Sequence, residues 1–167
     1  MATTDSEVFK EKLKHKGFFS YSDLYNFCYN WLKDEGFSVS EDEYTEKIAG
    51  NGKEIIIKWK ATKKVSDYIK NEIKAEWHIL GLTDAEVMIG EKKEKTNKGE
   101  VKITVAANLK KDYESKWDTS PTMRFLRDVY DRYIIRESVK KYEDRLEDKA
   151  QDFVEDTKSF LNLEGKR

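Results

Sequence analysis

Between residues 37 and 113 apolar side chains recur at every second position, and that alternation confines the middle of the chain to antiparallel β-structure with one buried face. Ile55, Ile57, Trp59 and Ala61 share one side of their run. Ile69, Ile73, Ala75, Trp77 and Ile79 share one side of the next, with Lys70, Glu72, Lys74, Glu76 and His78 opposite. Val101, Ile103, Val105, Ala107 and Leu109 repeat the pattern against Lys102, Thr104, Ala106, Asn108 and Lys110. A helix would scatter such a set around its circumference. The turn-rich stretches Ala49-Gly50-Asn51-Gly52 and Thr96-Asn97-Lys98-Gly99 read as hairpin connections. Five or six strands are expected over 37–116, preceded by a short one over 13–19, with residues 1–10 disordered.

The alternation is flanked by helical periodicity. Leu24, Phe27, Cys28, Trp31 and Leu32 fall at i, i+3, i+4, i+7 and i+8, one face of an amphipathic helix over 22–35. Ser20 and Asp23 have capping spacing at its start, with Ser22 an alternative cap, and Gly36 supplies a left-handed stop. Ser120 followed by Pro121, the sole proline, marks a second helical start. No Gly or Pro interrupts the chain from there until Gly165. One helix over 121–163 would be about 64 Å long, more than a domain of this size is wide, so a break is expected near residues 136–138. Val139, Leu146, Phe153 and Phe160 recur every seven residues beyond it, with Tyr142, Ala150 and Thr157 in the same stripe. The predicted class is α+β: an antiparallel sheet covered on one face by an N-terminal helix and a long C-terminal helical segment, in a single domain over 1–167.

Composition excludes several functions. The 32 basic and 33 acidic residues give a net charge of -1, which removes the global attraction of a dedicated nucleic-acid binder and makes nucleic acid an unfavoured partner. Residues 53–117 are mildly basic, with 15 Lys/Arg against 11 Asp/Glu, so any nucleic-acid contact is expected through strands 53–111. A single cysteine, Cys28, forms no intramolecular disulfide and no zinc-cysteine cluster. No stretch approaches the ~20 apolar residues of a membrane span and the start lacks signal-peptide regions, so the expected location is cytoplasmic.

Candidate chemistry is sparse. His78 and Glu76 lie two apart on one strand face, a spacing an acid–base pair can use, but the charged residues around them favour a solvated face. His15 reads as an edge-strand residue, and two histidines without ligand spacing hold no metal. Cys28, between Phe27 and Trp31, reads as a buried thiol. Glu41, Asp42, Glu43 and Glu46 lack the alternating oxygens and glycine of a calcium loop. The run Lys92-Lys93-Glu94-Lys95 with Lys98 reads as a charged hairpin that protects a sheet edge. No nucleotide-binding or zinc-protease motif occurs. No catalytic residue, metal ligand or cofactor is assigned, and an enzyme is disfavoured.

The order of short strand, helix, antiparallel strands and long C-terminal helix resembles the helix-grip fold of the START and Bet v 1-like superfamily. That fold lacks a helix before its last one, such as residues 121–135 would form, and has a second short N-terminal helix not evident here. The chain's texture is also similar to that of small archaeal-type proteins, which implies no activity. The helix-grip resemblance implies a small hydrophobic ligand held between sheet and last helix, in a cavity lined by residues such as Trp59, Trp77, Tyr130, Tyr142, Leu146 and Phe153. The other expectations are filling of that space by the same aromatics, and a protein-interaction or assembly module in which the 137–163 helix pairs with a protein partner or a second copy.

Overall fold

The computed structural model describes residues 4–66, 68–111, 120–129 and 136–165. The alternating segments form five antiparallel strands: β1 (Thr4–Phe19), β2 (Ser38–Ala49), β3 (Gly52–Lys64), β4 (Ile69–Ile89) and β5 (Lys92–Lys111). Their spatial order is β1-β5-β4-β3-β2, so a meander from β2 to β5 is completed by β1 on the far side of β5. Three helices accompany them: α1 (Tyr21–Asp34), α2 (Pro121–Val129) and α3 (Arg136–Gly165). The architecture is the expected α+β class with an antiparallel sheet and a C-terminal helix. No helix of the described residues is long and apolar enough to cross a membrane.

Register decides which side chains meet. Leu13, Ile103, Trp77 and Ile57 stand opposite one another across four strands and are all buried. Because every second residue shares this side, the sheet has one covered face of Ile, Val, Leu, Ala and Trp. Helix α3 lies on it against β1 and β5, while α1 sits beside α3 and reaches β2. The seven-residue seam of α3 is spent here: Val139, Leu146, Ala150, Phe153 and Thr157 are buried, and Phe160 stacks on Phe27 of α1 at 4.8 Å between ring centroids. Each large side chain so buried contributes about 1.5–3 kcal/mol.

Local signals explain the ends of α1. The Asp23 N–H donates to the Ser20 hydroxyl at 3.3 Å. At the other end the Gly36 N–H reaches the Lys33 carbonyl and the Phe37 N–H the Leu32 carbonyl, each at 3.0 Å. That is a Schellman closure, and Gly36 with φ of +90° suits it because it has no Cβ to clash. Ser120 caps α2 through the Met123 N–H at 3.2 Å. No residue of α2 is buried. The break expected near residues 136–138 falls beside residues 130–135, outside the described ones; α3 runs uninterrupted from Arg136.

Two expectations are corrected. Residues 4–10, read as disordered, are strand, because β1 pairs with β5 from Thr4 opposite Lys111 to Phe19 opposite Asn97. The second hairpin does not turn at residues 96–99, which lie inside β5; the strands reverse at Gly90 and Glu91, between Ile89 and Lys92. The turn-like composition there has other uses. Asn97 Oδ1 accepts the Tyr21 N–H at 2.9 Å, and a Cβ on Gly99 would stand 3.0 Å from the Leu80 carbonyl oxygen.

Candidate functional site

The expected ligand space beneath the last helix divides into two packed regions. Trp59 and Trp77 lie together, 5.1 Å between ring centroids, but under α1: Tyr25 is 5.0 Å from the Trp59 ring and 6.4 Å from Trp77. Leu146 and Phe153 lie under α3, and Trp31 of α1 joins the regions at 5.0 Å from Phe153. Tyr142 is half-buried beside Arg145. Tyr130 lies outside the described residues. Trp59, Trp77, Leu146 and Phe153 expose no more than 2% of their surface.

The acidic group on β2 is dispersed into partnerships. Glu41 Oε1 accepts from the Tyr25 hydroxyl at 2.8 Å and from Trp59 Nε1 at 3.2 Å. Burial first, then the bond to Glu41, pushes the Tyr25 phenol up to about 12. Glu43 pairs with Lys58 and Glu46 with Lys53. Cys28 is fully buried with Sγ 3.7 Å from the Thr157 hydroxyl, and burial pushes its thiol up to about 12. His15 Nε2 lies 3.2 Å from the Phe18 carbonyl oxygen. No group of three or more His, Cys, Asp or Glu able to hold a metal ion occurs among the described residues.

The opposite face of the sheet is uncovered by α1 and α3, and register assembles on it what the linear sequence scatters. Strand β1 contributes Lys10, Lys12, Lys14 and Lys16, opposite Ala106, Thr104, Lys102 and Glu100 of β5. Strand β4 adds Lys70, Glu72, Lys74, Glu76 and His78, opposite Lys110, Asn108, Ala106, Thr104 and Lys102. Strand β3 adds Glu54, Ile56, Lys58, Lys60 and Lys64, and β2 adds Glu43 and Lys47. Even with Asp5 and Glu7 at the end of β1, the rows named here hold twelve lysines and seven carboxylates among the described residues, in a chain whose net charge is -1. The compensating acid lies elsewhere, much of it on α3, where Asp144, Glu147, Asp148, Asp152, Glu155 and Asp156 are exposed.

Within this face the carboxylates organise the lysines. Glu72 is 1% exposed, with Lys110 at 3.1 Å, Lys60 at 3.6 Å and Lys74 at 3.7 Å. One buried charge thus gathers three ammonium groups. Glu100 pairs with both Lys14 and Lys102 at 3.4 Å; desolvation opposes ionisation, but these two lysines hold the carboxyl below its usual range. Lys10, Lys12, Lys16 and Lys47 make no ion pair among the described residues. His78 meets Glu54 Oε1 at 3.1 Å, on the neighbouring strand, and not Glu76. Two hollows open on the face. One of about 550 Å³ is lined by Lys16, Glu54, Leu80, Lys98 and Glu100, the other, of about 300 Å³, by Lys12, Lys58, Glu76, His78 and Lys102.

Sequence reasoning missed the strongest part of this surface. The signal was Lys-x-Lys-x-Lys-x-Lys from Lys10 to Lys16, with Phe9 and Leu13 on the alternate side, a half-buried strand in which one side carries only positive charge. Comparison of the chain with protein-family models, with curated proteins and with solved structures finds no match.

Proposed function

We propose that this chain is a nucleic-acid-binding protein whose working surface is the open face of the sheet. The single observation that carries the reading is the segregation of charge: among the described residues, twelve lysines against seven carboxylates in the open-face rows, in a chain with slightly more acid than base. Charge distribution, not its total, sets local attraction for a polyanion. The mildly basic strands 53–111 supply part of this surface, and β1 supplies its densest file. Retention on immobilised nucleic acid tests the reading. The wild type should elute late and in a salt-dependent way, and Lys10, Lys12, Lys14 and Lys16 all changed to Gln should elute much earlier. An unchanged elution position would remove the reading.

A small ligand beneath the helices has one observation in its favour. The Trp77 indole N–H is buried with no hydrogen-bond partner, a donor that a ligand carbonyl or hydroxyl could satisfy. Native mass spectrometry of protein taken from its own host should then show a retained small molecule, and the mass of the bare chain counts against it.

A further inference from the structure

We infer that the open face takes a nucleic acid duplex, straddled through its phosphates by two files of lysine and not read through its bases. The inference rests on the nucleic-acid reading above and narrows it to one kind of strand arrangement. Two files define the geometry. Along β1, Lys10, Lys12, Lys14 and Lys16 are spaced by about 6.7 Å and so cover about 20 Å. Lys58, Lys60 and Lys64 lie on β3, three strands away in the order β1-β5-β4-β3, which places the files about 14 Å apart. That separation is close to the ~12 Å width of a B-form major groove, whose rims are lines of phosphate. The floor between the files is built by β5 and β4: Thr104, Ala106 and Asn108 stand opposite Glu76, Lys74 and Glu72, with Lys102 and Lys110 on the same side.

The same surface lacks what other nucleic-acid modes require. Single strands are held by stacking bases on aromatic rings; among the described residues these rows hold one, Phe18 at the end of β1, half-buried with Lys98 over its ring at 5.5 Å, and the strand tryptophans Trp59 and Trp77 are buried on the covered face. Sequence is read chiefly by arginine and amide forks on base edges, and every arginine of the chain lies beyond residue 120. A lysine is a point charge suited to phosphate without geometric selection. An anionic bilayer would share the attraction, but Phe18, Ile56 and Leu80, large apolar residues of these rows, are half-buried and present little to insert.

The test is fluorescence anisotropy of the full chain with a duplex of about 24 base pairs, with one of its strands alone, and with vesicles of roughly one-third phosphatidylserine. Duplex should bind about tenfold or more tighter than single strand, with affinity falling roughly a hundredfold between about 50 and 200 mM salt, as about four phosphate contacts give. Two unrelated duplex sequences should agree within about twofold. Lys12→Gln with Lys14→Gln, and separately Lys58→Gln with Lys60→Gln, should each lower the salt slope by about two, and the first pair should leave the thermal transition unchanged. Single strand bound as tightly as duplex, binding to vesicles alone, or variants in either file that bind duplex like the wild type would overturn the inference while leaving an anionic partner in place. No binding to any of the three at low salt would overturn both it and the nucleic-acid reading beneath it.

Discussion

The two faces of the sheet are made by the same five strands, one residue out of phase, and they obey different rules. On the covered face Ile57, Trp77, Ile103 and Leu13 meet edge to edge beneath two helices and expose almost nothing. On the open face, one residue along each strand, Lys58, Glu76, Thr104 and Lys12 stand in a row on the side away from α1 and α3. Packing fixes the first set, because any change of volume is felt by neighbours that cannot move. Solvent tolerates the second, so its charge pattern is free to be set by what it must touch. A lysine excess on a tolerant face therefore says more about function than an isoleucine excess on an intolerant one.

Substitution should separate the faces sharply. Trp77→Ala and Phe153→Ala, on the covered side, are expected to lose about 3–5 kcal/mol each, and Leu146→Ala about 2–5 kcal/mol, in denaturant unfolding. Lys12→Ala or Lys14→Ala, across the sheet, should stay within about 0.5 kcal/mol by the same measurement. A Trp77 variant as stable as the Lys14 variant would abolish the distinction.

Glu72 is where the contrast is least clean, since it is buried on the open side. Glu72→Gln removes the charge that gathers Lys60, Lys74 and Lys110. It should cost about 1–3 kcal/mol of stability and tighten nucleic-acid binding, because three ammonium groups lose their internal counter-charge. Weaker binding with an intact fold would show that Glu72 positions those lysines and does not merely compete with the ligand.

Cys28 sharpens the comparison from the covered side. With the thiol pushed up to about 12 by burial, a thiol reagent near pH 8 should react only as fast as the protein opens. Labelling that outruns unfolding would mean the helix layer is looser than its burial implies. The smallest effect belongs to Glu100. Its folded carboxyl lies below its ordinary value, so its stabilisation is present above that value and is lost as pH falls through the lower folded one. Glu100→Gln should therefore flatten the decline of thermal stability on acidification slightly. An unchanged profile would show that the Lys14 and Lys102 contacts are too solvated to matter.

Helix α1 was legible because periodicity, cap and stop agree at Ser20, Leu24–Leu32 and Gly36. The strands were legible where apolar and polar residues alternate cleanly. Residues 4–10 were not, because an edge strand needs to bury only one side and Phe9 and Val8 are its sole apolar residues there. The β4–β5 turn was displaced because Asn97 and Gly99, turn formers by composition, serve a helix start and a close backbone approach instead. The open face could not be summed from sequence at all. Its lysines come from five segments, and only the register says that Lys14, Lys102 and His78 are neighbours.

The long hairpin of β4 and β5 carries a kinetic consequence. Beyond Asn97 it has outrun β1, whose pairing stops at Phe19, and β3 reaches only as far as Leu82. From Ala85 to Thr96 it is a two-stranded ribbon, with Met88 and Ile89 exposed at its end. Ribbons of two strands are marginal in water, so this arm should open and close while the five-stranded body stays shut. Its amides exchange with solvent on a faster clock than those of Val101 to Leu109, in the same strand, only a few residues away.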